Sequence, residues 1–333
     1  MNKKISLIIS SFILMLGLFL LINNSTKQNN TCNNNLKEAI NKVLPKTVLV
    51  EAYNYNNLKS TGSGFFYKED NKYAYILTNE HVITDCDDIK VVLENDKEIE
   101  TKLLGKDEYL DIAVLRVDKK YSQGIVKLSN SKKMNIGDTI FTIGSPLGYE
   151  YKNTVTSGII SRKDRIVKTT VNDEDWPVRV IQIDASINRG NSGGPLVNAN
   201  GEVIGICSFK LNDSINNIGF AIPIEYVINS LELLEKGEKI IPPSLNIKIA
   251  NADDTNELLK NNIDINNTRE EGIIVLENKA NLKKGDIIVK INNIKVENLT
   301  YLESELYGYK SKDKVELTII RNSKERKVKI SLS

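Results

Sequence analysis

The sequence predicts a mainly β protein: two β-barrels followed by a smaller α+β unit. Three observations carry this. Between Thr47 and Pro223 the chain breaks into short β-type runs such as "TVLVEAY", "GSGFFY", "YAYILT", "IAVLRV", "TIFTIG", "VRVIQI" and "EVIGICSF", punctuated by Gly, Asn and Asp. About a dozen such strands are too many for one small barrel, which closes with about eight. Beyond the hinge-like "EKIIPPS", the runs "LNIKIA", "GIIVLE", "DIIVKIN", "KVELTII" and "RKVKISL" mix with two helix-like stretches, "TNELLKNN" and "LTYLESELYGY".

Taken in order, the chain opens on "MNKK" and an uncharged run over residues 5–22, "ISLIISSFILMLGLFLLI". A secretory signal carries an apolar stretch of about 7–15 residues and an Ala-x-Ala-like cleavage site. This run is longer, and "INNSTKQ" offers no such site. At roughly 17–25 residues a span crosses the bilayer, so residues 1–22 read as an uncleaved anchor, with a cleaved signal peptide as the alternative. Lys3 and Lys4 place the tail in the cytoplasm and the body outside, on the cell membrane. Residues 23–35 hold seven asparagines and read as a polar linker. Residues 36–46 suit a short helix ending at Pro45. "PIEYVINSLELLEKG", 223–237, starts on Pro, ends on Gly and has helical spacing between. It closes a first domain over 36–240, and residues 241–333 form the second.

Composition excludes several functions. Lys and Arg total 45 against 43 acidic residues, a net charge of +2 that gives no basic face for nucleic acid. Three cysteines, Cys32, Cys86 and Cys207, form no CxxC pair or metal-ligand pattern, which with a single histidine argues against a His/Cys zinc site. No metal or organic cofactor is implied. Cys86 and Cys207 read as isolated buried thiols rather than a disulfide.

The chemistry centres on "NRGNSGGPL", 188–196, a serine set among glycines and asparagines. Gly190 to Gly194 satisfies the G-x-S-x-G elbow of α/β-hydrolases, but that fold needs a helix next and a histidine after the serine. Strand-like "PLVN" follows, and the only histidine, His81, lies upstream. A triad in the order His, Asp, Ser fits instead. Ser192 is then the nucleophile and His81, in "LTNEHVI", its base, because a serine hydroxyl near neutral pH needs one. Asp111 opens the apolar strand "DIAVLRV", where a carboxylate is costly without a partner. Asp107, Asp118 and Asp138 sit in turn-like, solvated contexts. Asp184, in "IQIDASIN", is the rival, with pinning of the loop before Ser192 as its other role. The amides of Gly190 and Ser192 form the natural oxyanion pair.

Together "GSGFF", "LTNEHVI", "DIAVLRV", "IGSPLGYEYKNTVTSGIIS", "IQIDASINRGNSGGPLVNANGEVIGI" and "IGFAIP" resemble the HtrA family of trypsin-type serine proteases, in order and over nearly all of residues 36–333. The resemblance implies a chymotrypsin-like double β-barrel, the triad His81, Asp111 and Ser192, a C-terminal PDZ domain, and assembly as a homotrimer. It also implies envelope protein quality control, with unfolded or misfolded proteins as substrates and C-terminal peptides as PDZ ligands. Ser186, six residues before the nucleophile, would base the primary specificity pocket and Ile187 would narrow it, favouring cleavage after Val, Ile or Ala. The polar stretch 161–177, read as a long loop, would relay the PDZ state to the oxyanion turn. Two departures stand out. The peptide-carboxylate loop, Tyr-Leu-Gly-Ile in relatives, is here Ser244-Leu245-Asn246-Ile247. The short segment between Tyr53 and Thr61 leaves no room for the long protease-domain loop of some members, which favours the anchored type. The alternatives are a peptide-binding module or chaperone with proteolysis secondary, and a non-catalytic membrane scaffold.

Overall fold

The computed structural model describes residues 35–208, 218–264 and 271–333, together with Met15. The anchor expected at 5–22 and Cys32 therefore lie outside the described residues, Met15 apart. Among the described residues no helix is long and apolar enough to cross a membrane.

Helix α1 (35–43) leads into the first sheet. Its strands are β1 (Thr47–Asn54), β2 (Asn57–Glu69), β3 (Tyr73–Thr78), β4 (Asp88–Val92), β5 (Glu98–Glu100), β6 (Lys102–Asp107) and β7 (Ile112–Asp118). They pair in the order β5-β4-β1-β2-β3-β7-β6. The two edge strands are joined through Thr101 alone, so the sheet has curled until its edges meet. β1 and β2 connect through a tight turn at Tyr55 and Asn56, both at positive φ, as the missing long loop requires.

The second sheet contains β8 (Lys127–Leu128), β9 (Thr139–Gly144), β10 (Thr154–Val171), β11 (Glu174–Ile183), β12 (Pro195–Asn198), β13 (Glu202–Cys207) and β14 (Gly219–Pro223). The path β12-β9-β10-β11-β14-β13 closes on itself through the β12–β13 pairing, which makes a barrel without edges. The 161–177 stretch is not a loop. It continues β10 and β11 as a hairpin, turning at Asn172 and Asp173 with φ of 51° and 64°. Both residue types tolerate the left-handed conformation such a turn needs.

Apolar side chains from the two sheets meet in one seam, where Phe65, Leu77 and Ile112 of the first join Phe141, Ile143 and Ile206 of the second. Between β3 and β4 lies the single-turn helix α2 (Glu80–Ile83), and after β14 comes helix α3 (Ile224–Lys236). Pro223 precedes the first turn of α3 and Gly237 ends it at φ +73°, as read from the sequence. Ile224, Val227, Leu231 and Leu234 bury its inner face in the same seam.

The C-terminal unit has its own sheet: β15 (Ile249–Asn251), β16 (Ile273–Val275), β17 (Ile287–Ile291), β18 (Ile294–Lys295), β19 (Lys314–Arg321) and β20 (Lys324–Ser331). Helices α4 (Thr255–Lys260) and α5 (Leu299–Leu306) complete it. Asp254 and Asn298 cap their N-termini by accepting the amides of Glu257 and Tyr301. Leu302 and Leu306 of α5 pack with Leu245 and Val275 in a separate core.

Candidate active site

β3 lies between β2 and β7, and its end at Thr78 carries the chain into the seam. Asn79 occupies the N-cap position of α2, whose Val82 and Ile83 are buried and hold the turn down. His81, on the same turn, faces outward with 27% of its side chain exposed. Its backbone N–H donates to Asp111 Oδ1 at 2.9 Å, and its Nδ1 lies 2.7 Å from Oδ2. A carboxylate on Nδ1 keeps the proton there and leaves Nε2 as the base.

Asp111 is buried and enters β7 at φ +57°. Its Oδ2 accepts a third donor, Ser208 Oγ at 3.0 Å, and its carbonyl accepts Asn79 Nδ2 at 2.6 Å. Both oxygens are therefore fixed, and the carboxylate has one orientation. The rival Asp184 is elsewhere: it accepts the Ile159 amide at 2.7 Å and pins β10 to the segment before the serine. Asp107, by contrast, is not solvated. It is 1% exposed, because Tyr307 of the C-terminal unit covers it.

Ser192 follows a turn that only glycines fit. Gly190 sits at φ +101°, where a Cβ would collide with the Ser145 carbonyl. Gly193 sits at φ +84°, where a Cβ would lie 2.9 Å from the Asn79 amide nitrogen. The serine turn thus packs directly on the residue that leads into the His81 turn. Ser63, between the two glycines of "GSGFF", ties the turn from the other barrel. Its N–H donates to the Ser192 carbonyl and its hydroxyl to the Gly190 carbonyl, both at 2.7 Å. Gly193 N–H donates to the Cys207 carbonyl at 2.9 Å. The planes that carry the Gly190 and Ser192 amides are held through the carbonyls preceding them, Arg189 accepting the Leu147 amide at 3.1 Å and Asn191 the Gly194 amide at 3.0 Å. The Gly190 N–H makes no hydrogen bond to a described residue. Preorganised amides of this kind suit an oxyanion.

Cys207 is fully buried beside Thr142, and burial pushes its thiol up to about 12. It stays protonated and unpaired; Cys86 is also free but only half-buried. Ile187 is buried against Gly219, where an added Cβ would meet its Cγ1 at 2.6 Å. Ser186 is exposed, and its carbonyl accepts Thr156 Oγ1 and Asn191 Nδ2.

In the C-terminal unit, the loop Ser244 to Ile247 reaches positive φ without a glycine. Asn246 adopts φ +49°, one of the few side chains that tolerates this region. Leu245 is buried, and Lys279 Nζ bonds the Asn246 carbonyl. Ser63, Asn79 and Ser208 escaped sequence reasoning. Ser63 alone had a local signal, its bracketing glycines.

A histidine–carboxylate pair on a turn packed against a glycine-turned serine, between two β-barrels, defines a trypsin-like serine peptidase. Accordingly, residues 62–206 match the model of the trypsin-like peptidase domain, and residues 264–332 match that of the PDZ domain. The chain is 39% identical over 285 residues to the serine protease Do-like HtrA of Lactobacillus helveticus, spanning 82% of this chain and 68% of that protein. It is 34% identical over 290 residues to the corresponding protein of Lactococcus lactis subsp. lactis, spanning 83% and 71%. Among solved structures it resembles the HtrA-type protease AlgW with tripeptide, at TM-score 0.65 and 26% identity over 89% of this chain and 96% of that one. The serine endoprotease of Yersinia pestis gives 0.60 and 28% over 90% and 97%. The chain belongs to the HtrA family of serine proteases.

Proposed function

We propose that Ser192, His81 and Asp111 are the triad of this endopeptidase, a reading carried by the network that joins His81 Nδ1, Asp111 and Ser208 beside the serine turn. Ser192 Oγ attacks the scissile carbonyl while His81 Nε2 takes its proton and passes it to the leaving amine. Asp111 stabilises the imidazolium, and the amides of Gly190 and Ser192 receive the oxyanion. Water, activated by the same histidine, then hydrolyses the acyl-enzyme. Ser186 and Ile187 form a small, uncharged primary pocket, so cleavage follows Val, Ile or Ala. A mass-spectrometric map dominated by Lys and Arg at that position would refute this.

The domains are a protease domain over 36–240 and a PDZ domain over 241–333, behind an anchor at 1–22 and a linker at 23–35. The enzyme faces outward from the cell membrane as a homotrimer and degrades misfolded or regulatory envelope proteins. The apolar run over 5–22 supports the anchoring; a soluble mature protein starting near residue 25 would contradict it. Peptide C-termini bind at Ser244 to Ile247 and set protease activity, a coupling of about 1–3 kcal/mol. Packing of α5 against β11, through Arg179–Glu305 at 3.3 Å, supports such a link. Casein cleavage by the wild type and by Ser192→Ala tests the whole reading. The alanine variant should be inert; cleavage retained by it would refute the triad, and a wild type that cleaves nothing would return the chain to a binding module.

A further inference from the structure

Asp107 is a buried carboxylate with no part in the bond-making steps. It ends β6 four residues before Asp111, and its Oδ1 accepts the amides of Tyr109 at 3.0 Å and Leu110 at 3.1 Å. It is therefore the clamp of the turn that delivers Asp111 to His81. That turn ends in a left-handed residue, Asp111 at φ +57°. Such backbone persists only where the surroundings over-determine it. The remaining donor to Asp107 comes from the other domain: the Tyr307 hydroxyl lies 2.9 and 3.0 Å from its two oxygens.

Tyr307 is built into the protease rather than resting on it. It follows α5, is 6% exposed, and packs edge-on to Trp176 with ring centres 6.2 Å apart. Asn229 Nδ2 of α3 bonds the Gly308 carbonyl beside it at 2.8 Å. Buried acceptors are costly to leave unmatched, so the hydroxyl matters most in this dry setting.

We propose that Tyr307 is a positioning residue for catalysis: the PDZ domain completes the hydrogen bonding of Asp107, and Asp107 holds the turn that presents Asp111 to His81. The inference rests on the triad reading above. It has a direction. Asp111 acts on the imidazolium formed in the transition state, so losing the hydroxyl lowers kcat and leaves KM alone. A contact that only glues the domains would not do this, because phenylalanine keeps the aromatic packing.

The test uses the full chain and a short peptide substrate blocked at both ends, which offers the PDZ domain no carboxylate. Tyr307→Phe should lower kcat by about five- to thirty-fold, part of what a hydrogen bond to a charged group is worth, with KM unchanged within about two-fold. Adding it to Asp107→Asn should change kcat by less than about two-fold, since the two groups act as a unit. Independently of activity, the Leu110 and Asp111 amides should exchange hydrogen faster in Tyr307→Phe. A Tyr307→Phe enzyme with wild-type or raised kcat, or with unchanged exchange at this turn, overturns the proposal, as does its full effect persisting beside Asp107→Asn. Ser192→Ala, assayed in parallel, separates the two readings. If it turns over substrate, the triad reading fails; if it is inert while Tyr307→Phe matches wild type, only the positioning role fails.

Discussion

Asp111 gathers its donors from distant parts of the chain, His81 30 positions away and Ser208 97 away. Ser208→Ala removes one hydrogen bond to a charged acceptor and leaves His81 in place. We expect kcat/KM to fall about ten-fold, equivalent to about 1.4 kcal/mol, with little change in stability; steady-state kinetics on a peptide substrate checks it. The proposed pairing of His81 with Ser192 was legible because the chain holds one histidine and one serine in a G-x-S-x-G turn. Ser208 was not, since a lone serine after an apolar strand carries no local mark. Asp107 was misread for the same reason: its cover, Tyr307, comes from 200 positions downstream. Asn246 gives a second check at this scale. Asn246→Gly fits φ +49° and should keep carboxylate-peptide binding. Asn246→Val should cost about 1–2 kcal/mol and weaken it in calorimetry.

The elements followed the sequence where one face of each meets the core. Helix α3, with its Pro start and Gly stop, matched to within one residue at each end. Though the short β5 and β8 and the edge strand β6 were not among them, the β-type runs read from the sequence appeared as strands in order. The hairpin over 161–177 did not, because it extends past the barrel. Burial alternates at its tip, with Thr169 and Val171 buried and Lys168 and Thr170 exposed. Lys163, Arg165 and Thr169 fall at the alternate positions shared with Val171, so the apolar alternation that marks a half-buried strand is missing from the sequence. Helix α3 reaches the first barrel at Gly105 of β6, where an added Cβ would lie 2.5 Å from the Leu234 carbonyl oxygen. Since that neighbour is backbone, Gly105→Ala must push the helix away. Urea unfolding should show a loss of about 1–3 kcal/mol. A variant as stable as wild type would mean that α3 is loosely held.

At the scale of the molecule, the two domains meet over a titratable group. Burial holds Asp107 up to about 6, with the Asp111 charge adding to the rise and the Leu110 amide, Tyr307 hydroxyl and Tyr109 amide opposing it. The unfolded chain has the ordinary value near 3.9, about two units lower. Between these values the native state binds the proton more tightly, so stability falls as pH rises. The contribution is complete below about pH 4 and lost above about pH 6, at most about 3 kcal/mol. Asp107→Asn has no such titration. Its stability relative to wild type should therefore rise between pH 4.5 and 7 in thermal melts, and a constant difference would show that Asp107 does not titrate in this window. The central claim, that Ser192 is the nucleophile served by His81, is tested most directly by labelling the protein with a serine-directed fluorophosphonate and mapping the adduct by mass spectrometry. The adduct should sit on Ser192, vanish in Ser192→Ala, and form at least about a hundred-fold more slowly in His81→Ala, as when a triad base is lost. An adduct on another serine, or wild-type labelling without His81, would contradict it.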